Sequence, residues 1–258
     1  VQFTALPGFT AAHAGWFWKE YVEKLSDSTG KEWKQAVEAV RVNEVFEKFG
    51  SEDIWLPTSL NFTQGVVPPR TQIIGADLER LIQVQDNRFV LNWRKRKSQY
   101  PGYEALLTEF RDMLHAFESF CTEVGWRTPT YNQWEMMYVN QIKKGTMWDS
   151  AYNLNKIFPA LTRPPVSAKH VPLSDEEAIS ADWRFTLVNR RGRLHIQIRQ
   201  VRLQPSNQEV IQLTEIARGP VNETQSWEEG VNLGHEAMRE TFLAITSTEA
   251  QTLWKKGN

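Results

Sequence analysis

Cysteine is almost missing from this chain, with Cys121 the single one among 258 residues. That excludes an intramolecular disulfide and a multi-cysteine zinc site, and Cys121, set among apolar residues of a helical pattern, reads as a buried thiol rather than a nucleophile. Histidine is sparse too: the five residues at 13, 115, 170, 195 and 235 share no ligand-like spacing. His235-Glu236-Ala237-Met238-Arg239 carries Arg where a zinc-protease helix needs its second His. There is no glycine-rich phosphate loop and no Gly-x-Ser-x-Gly elbow. Carboxylate pairs such as Asp175-Glu176-Glu177 and Glu228-Glu229 fall in a loop and at a helix start, where solvation and the helix dipole account for them. No catalytic set, metal site or cofactor is therefore read from the sequence. No apolar run approaches the ~20 residues of a membrane span, and the first residues lack the order of a signal peptide, so the expectation is a cytoplasmic protein with no membrane partner. The net charge of −1 exerts no global pull on nucleic acid.

Aromatic residues, by contrast, are plentiful, with eleven Trp and thirteen Phe, and such side chains fill cores first. The most informative stretch is 80–110. Leu81 to Gln85 and Arg88 to Trp93 flank Asp86-Asn87, two residue types that tolerate the positive φ of a two-residue hairpin turn. Closing the ladder there sets Val84 opposite Phe89 and Ile82 opposite Leu91, with Trp93 on the same face. Gln83, Gln85, Arg88 and Asn92 fall on the other. Pro101 suits a first helical turn, and Leu106, Phe110, Met113, Phe117, Phe120 and Val124 recur at helical spacing until Gly125.

Upstream, Val1 to Leu6 reads as a strand and Thr10 as the cap of a helix bearing Trp16, Phe17 and Tyr21. Lys31 to Phe49 reads as a second helix with the stripe Trp33, Val37, Val40 and Phe46, part of a helical insertion over 26–57. Downstream, 133–142 alternates Trp134, Met136 and Tyr138 against Glu135, Met137 and Val139, predicting a strand partly covered on both faces. A short helix over 149–158, strands over 182–188, 193–201 and 209–217, and a closing helix opened by the Ser226–Glu229 capping box follow. A second box, Thr246 with Glu249, starts a terminal turn.

Two units of one element order emerge, 1–127 and 128–258, each strand, helix, strands, long helix. The fold class is α+β, an antiparallel sheet with helices on one face. Two such units side by side would form a duplicated helix-grip arrangement like that of the TATA-box-binding protein, an analogy of topology that carries no function.

The blocks RLIQVQDNRFVLNWRK, YPGYEALLTEF and YVNQI, the late GRLHIQIR strand and the closing ITSTEAQTLWKK, with the VQF opening and GWFW helix, resemble a sporadically distributed bacterial family of uncharacterised proteins. The resemblance covers nearly the whole chain and brings no catalytic or binding residue with it. In that family a few strand residues usually precede VQF, which implies a start upstream of Val1. Its patchy distribution implies an accessory or defence-type role within a multi-gene system.

Three polar or aromatic constellations are candidate sites. The first is the sheet face away from the helices, with Gln83, Gln85, Arg88 and Asn92 in one half and His195, Gln197 and Arg199 in the other, types that hydrogen-bond well to bases or peptide edges. The second is a pair of basic loops, Arg94, Lys95, Arg96 and Lys97, then Arg190 and Arg191. The third is Trp33, Trp55, Trp148 and Trp254, which lie outside the hairpin-plus-helix units and would mark an interface if two or more were exposed together. The function classes rank as a non-catalytic binding subunit recognising a partner protein or a second copy, then a nucleic-acid binder using the polar face and basic loops, then a small-ligand carrier or enzyme with a sheet–helix pocket.

Overall fold

The computed structural model describes residues 1–25, 30–39, 70–161 and 178–256. Among the described residues nine strands form an antiparallel sheet, and the chain divides into two compact units, Val1–Gln133 and Trp134–Asn258. The division falls inside a strand rather than in the loop before it.

The first unit contains β1 (Gln2–Phe3), α1 (Ala11–Phe17, continued by a π turn, Trp18–Val22), β2 (Trp33–Ala39), β3 (Arg70–Gly75), β4 (Arg80–Gln85), β5 (Arg88–Trp93) and α2 (Tyr103–Glu123). Its strand order is β2-β3-β4-β5-β1. The β4–β5 register is the expected one, with Val84 paired to Phe89, Ile82 to Leu91 and Gln85 to Arg88. Neither Asp86 nor Asn87 adopts positive φ, however; that conformation occurs at Leu78 in the preceding turn, where the Asp77 carboxylate accepts the Glu79 and Arg80 N–H groups. Alternation puts Ile82, Val84, Phe89 and Phe3 on one face, which is buried under the helices. Phe117 of α2 is the hub there, its ring centroid 5.1 Å from Phe89, 5.4 Å from Phe17 and 5.7 Å from Phe3. Such pairs add about 0.5–1.5 kcal/mol each beyond the area they bury. Leu91 and Trp93, expected in that core, are only partly buried, and Trp93 meets Tyr100 edge-on at 5.3 Å. Gly102, not Pro101, occupies the N-cap of α2, and Gly125 ends the helix at φ 91° with Trp126 N–H bonded back to Cys121 C=O at 2.9 Å.

Residues 33–39 correct the helical reading of the insertion. Trp33 to Ala39 is a strand, β2, paired along β3 from Gly75 to Arg70. A bulge between Trp33 and Gln35 sets Trp33, paired to Gly75, on the buried side and Val37, paired to Gln72, on the exposed side, so their i, i+4 spacing marks neither a helix stripe nor one strand face. The open edge of β3 supplies the ladder that decides for the strand. Residues 40–57 of that insertion, with Trp55, lie outside the described residues.

The second unit contains β6 (Tyr131–Lys143), which begins in the first, then a 3₁₀ turn (Ala151–Lys156), β7 (Ser180–Thr186), β8 (Arg193–Leu203), β9 (Gln208–Pro220), α3 (Trp227–Ile245) and α4 (Thr248–Lys256). Strand order is β6-β9-β8-β7. In both units the opening strand thus lies beside the last strand before the long helix. The core gathers Trp134, Trp148, Leu154, Phe158, Ile196, Ile198, Leu213 and Met238. Trp134 lies flat in a slot made by missing side chains: a Cβ on Gly230 would come within 2.2 Å of its Nε1, and one on Gly234 within 2.8 Å of its ring. Ser226 caps α3, its hydroxyl accepting the Glu229 N–H at 3.2 Å while the Glu229 carboxylate accepts the Ser226 N–H at 2.8 Å. That backbone bond holds the Glu229 carboxyl below its usual range. At α4 the cap is Ser247, whose Oγ accepts the Ala250 N–H, whereas the Thr246 hydroxyl bonds back to Phe242 C=O.

Candidate binding surface

Each unit has one sheet face under its helices and one turned away from them. In the first unit the register places Gln83, Gln85, Arg88 and Asn92 together on the open face, beside Arg70, whose guanidinium donates to Gln83 Oε1 at 2.7 Å. Two further residues join them. Gln2 pairs with Arg88 on one side and Gln133 on the other, because a bulge between Gln2 and Phe3 reverses the alternation of β6. A row Gln85, Arg88, Gln2, Gln133 therefore crosses β4, β5, β1 and β6. Its glutamines are not the solvated side chains that alternation suggests: Gln2, Gln85 and Gln133 are 3%, 2% and 3% exposed.

In the second unit His195, Gln197 and Arg199 share the open face with Asp182 and Thr214 through the β7–β8 and β8–β9 registers. Arg199 is bonded to the Asp182 carboxylate and to Ala181 C=O, and Arg218 Nε lies 3.0 Å from Glu135. On β6 the residues alternating with the buried Trp134 are Glu135, Met137 and Val139. Met137 and Val139 stand 49% and 48% exposed where a partly covered face was expected, on a stretch of β6 beyond its pairing with β1 at Tyr131 and Gln133. The alternation pointed to the right face; what it could not show is that, among the described residues, these two stay exposed.

The basic loops are tied down more than their composition suggests. Glu79, 3% exposed, accepts the Ser98 hydroxyl and the Ser98, Lys97 and Arg96 N–H groups, which pull its carboxyl down to about 2. Arg94 donates to Leu78 C=O at 2.7 Å, leaving Lys95, Arg96 and Lys97 with exposed side chains. Arg190 is exposed, while Arg191 donates to Gln225 Oε1 at 2.9 Å and Gln225 returns a bond to Arg191 C=O.

Of the four tryptophans, Trp55 lies outside the described residues and the other three are covered. Trp33 and Trp148 are 5% and 1% exposed, Trp148 donating to Ile142 C=O at 3.0 Å, and Trp254 packs on Phe242 with centroids 5.5 Å apart. Each is absorbed within its own unit because an indole beside an apolar face gains more by covering it than by facing water.

Other reactive groups are scattered. Burial pushes the Cys121 thiol up to about 12, leaving it protonated and inert at neutral pH. Glu215 of β9 points to the helix face, 1% exposed, and burial raises its carboxyl to about 7. Tyr138 and His235 meet at 3.1 Å, Oη to Nδ1. Among the described residues no group of three or more His, Cys, Asp or Glu is close enough to hold a metal ion, and no helix is long and apolar enough to cross a membrane. Two open hollows there lie elsewhere, one around Tyr21, Lys24 and Glu123, the other between Met147, Lys156 and Leu253. Set against known proteins, the chain matches no protein-family model, no curated protein and no solved structure.

Proposed function

We propose that the protein is a non-catalytic binding subunit that recognises another protein through the open sheet face of its second unit. The observation that carries this reading is the pair Met137 and Val139, half exposed on the same face of β6 and flanked by polar residues. An apolar centre within a hydrogen-bonding rim is the anatomy of a protein interface. Phosphate recognition asks for a run of uncommitted cations along the surface, whereas on this face Arg199 and Arg218 are answered by Asp182 and Glu135 and the exposed Arg184 beside His195 does not extend into such a run. An accessory role in a bacterial multi-gene system agrees with the family resemblance of the sequence.

The test is affinity capture of the products of neighbouring genes on wild type and on Met137→Glu. A buried interface centre loses about 2 kcal/mol or more when a charge enters it, so retention should fall at least ~10-fold while the thermal midpoint is unchanged. Equal capture by both proteins would place the interface elsewhere. Light scattering that showed the wild type self-associating through this face would make the partner a second copy.

A further inference from the structure

We infer that the glutamine row of the first unit grips an extended polypeptide segment of the partner through side-chain-to-backbone hydrogen bonds; this rests on the protein-partner reading above. Gln85, Arg88, Gln2 and Gln133 stand side by side on four adjacent strands, on the face turned away from the helices. Nε2 of Gln2, Gln85 and Gln133 and Oε1 of Gln2 are buried without a hydrogen-bond partner. An unsatisfied buried amide is destabilising, and three such residues in one cross-strand line concentrate that cost in one place. It is recovered when a ligand supplies the missing partners.

The chemistry of the orphaned atoms selects the ligand. Gln2 lacks partners for both its donor and its acceptor, and Asn87, in the turn after Gln85, has a buried acceptor, Oδ1, unpartnered as well. A phosphate chain offers acceptors only. A peptide backbone offers N–H and C=O together, which is what a carboxamide pairs with. The row's length agrees: four strands at about 4.8 Å span roughly 14 Å, the reach of about four extended residues at ~3.4 Å each. Arg88, half-buried in the middle of the row, adds a cation for a carbonyl or an acidic side chain. The three amides are almost fully buried as they stand, so the segment meets them only after the glutamines swing outward about their side-chain single bonds.

The experiment uses a displayed library of random dodecapeptides selected on the full chain, with the best peptide resynthesised for titration. Its probe proteins are wild type, Met137→Glu, and the triple variant Gln2→Met, Gln85→Met, Gln133→Met. Methionine keeps the length and removes the amide, so the free triple variant should melt no lower than wild type, yet bind the peptide at least ten-fold more weakly. N-methylation of the peptide's central amides should weaken binding to the wild type likewise. Undiminished binding by the triple variant overturns the inference, as does a lower melting point, which would show the amides serving the fold itself. If that happens while Met137→Glu still abolishes partner capture, the proposed function stands and this inference alone falls. A selection that enriches no peptide overturns the inference, and binding of a single-stranded oligonucleotide in its place overturns the protein-partner reading as well.

Discussion

Glu215 is a carboxylic acid among hydrocarbons. It sits on β9 between Thr214 and Ile216, faces the core that contains Leu213, Ala217 and Met238, and leaves Oε1 buried without a hydrogen-bond partner. Burial disfavours the ionised form and raises the carboxyl from the usual carboxylate range to about 7. Below about pH 4 both folded and unfolded chains hold this proton. Between there and pH 7 only the folded chain does, so stability falls as pH rises through that window, by roughly 3 kcal/mol at about 1.4 kcal/mol per unit. The depressed carboxyls of Glu79, Glu209 and Glu229 act in the opposite sense: their contribution is present above the usual carboxylate value and lost as pH drops below it. Glu215→Gln should flatten the decline between pH 5 and 7.5 in urea unfolding and leave the acid limb unchanged. A wild-type midpoint that does not fall over that interval would show the carboxyl reaching water.

At the scale of the element, α3 owes its position to absent atoms. Glycine inside a helix costs about 1 kcal/mol relative to alanine, yet Gly230 and Gly234 recur one turn apart because Trp134 needs their surface. Gly230→Ala should therefore lower stability by about 1–3 kcal/mol through overpacking, while Gly15→Ala in α1, where an added Cβ meets nothing within 4 Å, should raise it by about 0.5–1 kcal/mol. Opposite signs from one substitution type make thermal denaturation of the pair decisive. The same elements show what the sequence could disclose. The β4–β5 register was legible because period and turn length agreed over Ile82 to Leu91, and α3 because Ser226 and Glu229 cap an apolar stripe. The strand β2 was not, since the bulge after Trp33 breaks its alternation and the partner strand lies far away in sequence. The row through Gln2 and Gln133 was hidden for a related reason: the bulge at Gln2/Phe3, which no local signal announces, turns Gln133 to the side opposite Tyr131.

Over the whole molecule, thirty Lys and Arg stand against thirty-one Asp and Glu, and the structure shows where this near-neutrality is spent. Face arginines are answered by Asp182 and Glu135, Arg80 and Lys31 meet Glu109 at 3.0 and 2.7 Å, and the 96–98 backbone closes on Glu79. Besides Arg94, whose guanidinium is held by Leu78 C=O, the cations with exposed side chains in the basic loops are Lys95, Arg96, Lys97 and Arg190. Binding to a polyanion grows with the number of phosphates neutralised, each adding about 0.9 to the slope of log K against log salt on duplex DNA. Four cations in two loops could contribute a slope of at most about 3–4, too little for tight association at physiological ionic strength. Wild type should therefore show no low-micromolar binding to duplex DNA or single-stranded RNA at moderate salt, and changing those four residues to Gln should leave partner capture intact. The decisive contrast is the salt titration of the complex with its protein partner. A shallow dependence, unchanged by the four substitutions, follows from an interface centred on Met137 and Val139. A steep dependence that flattens when the loops are neutralised would instead place the protein interface on the basic loops, and only a comparably steep salt dependence in binding of nucleic acid itself would assign the protein to nucleic-acid binders.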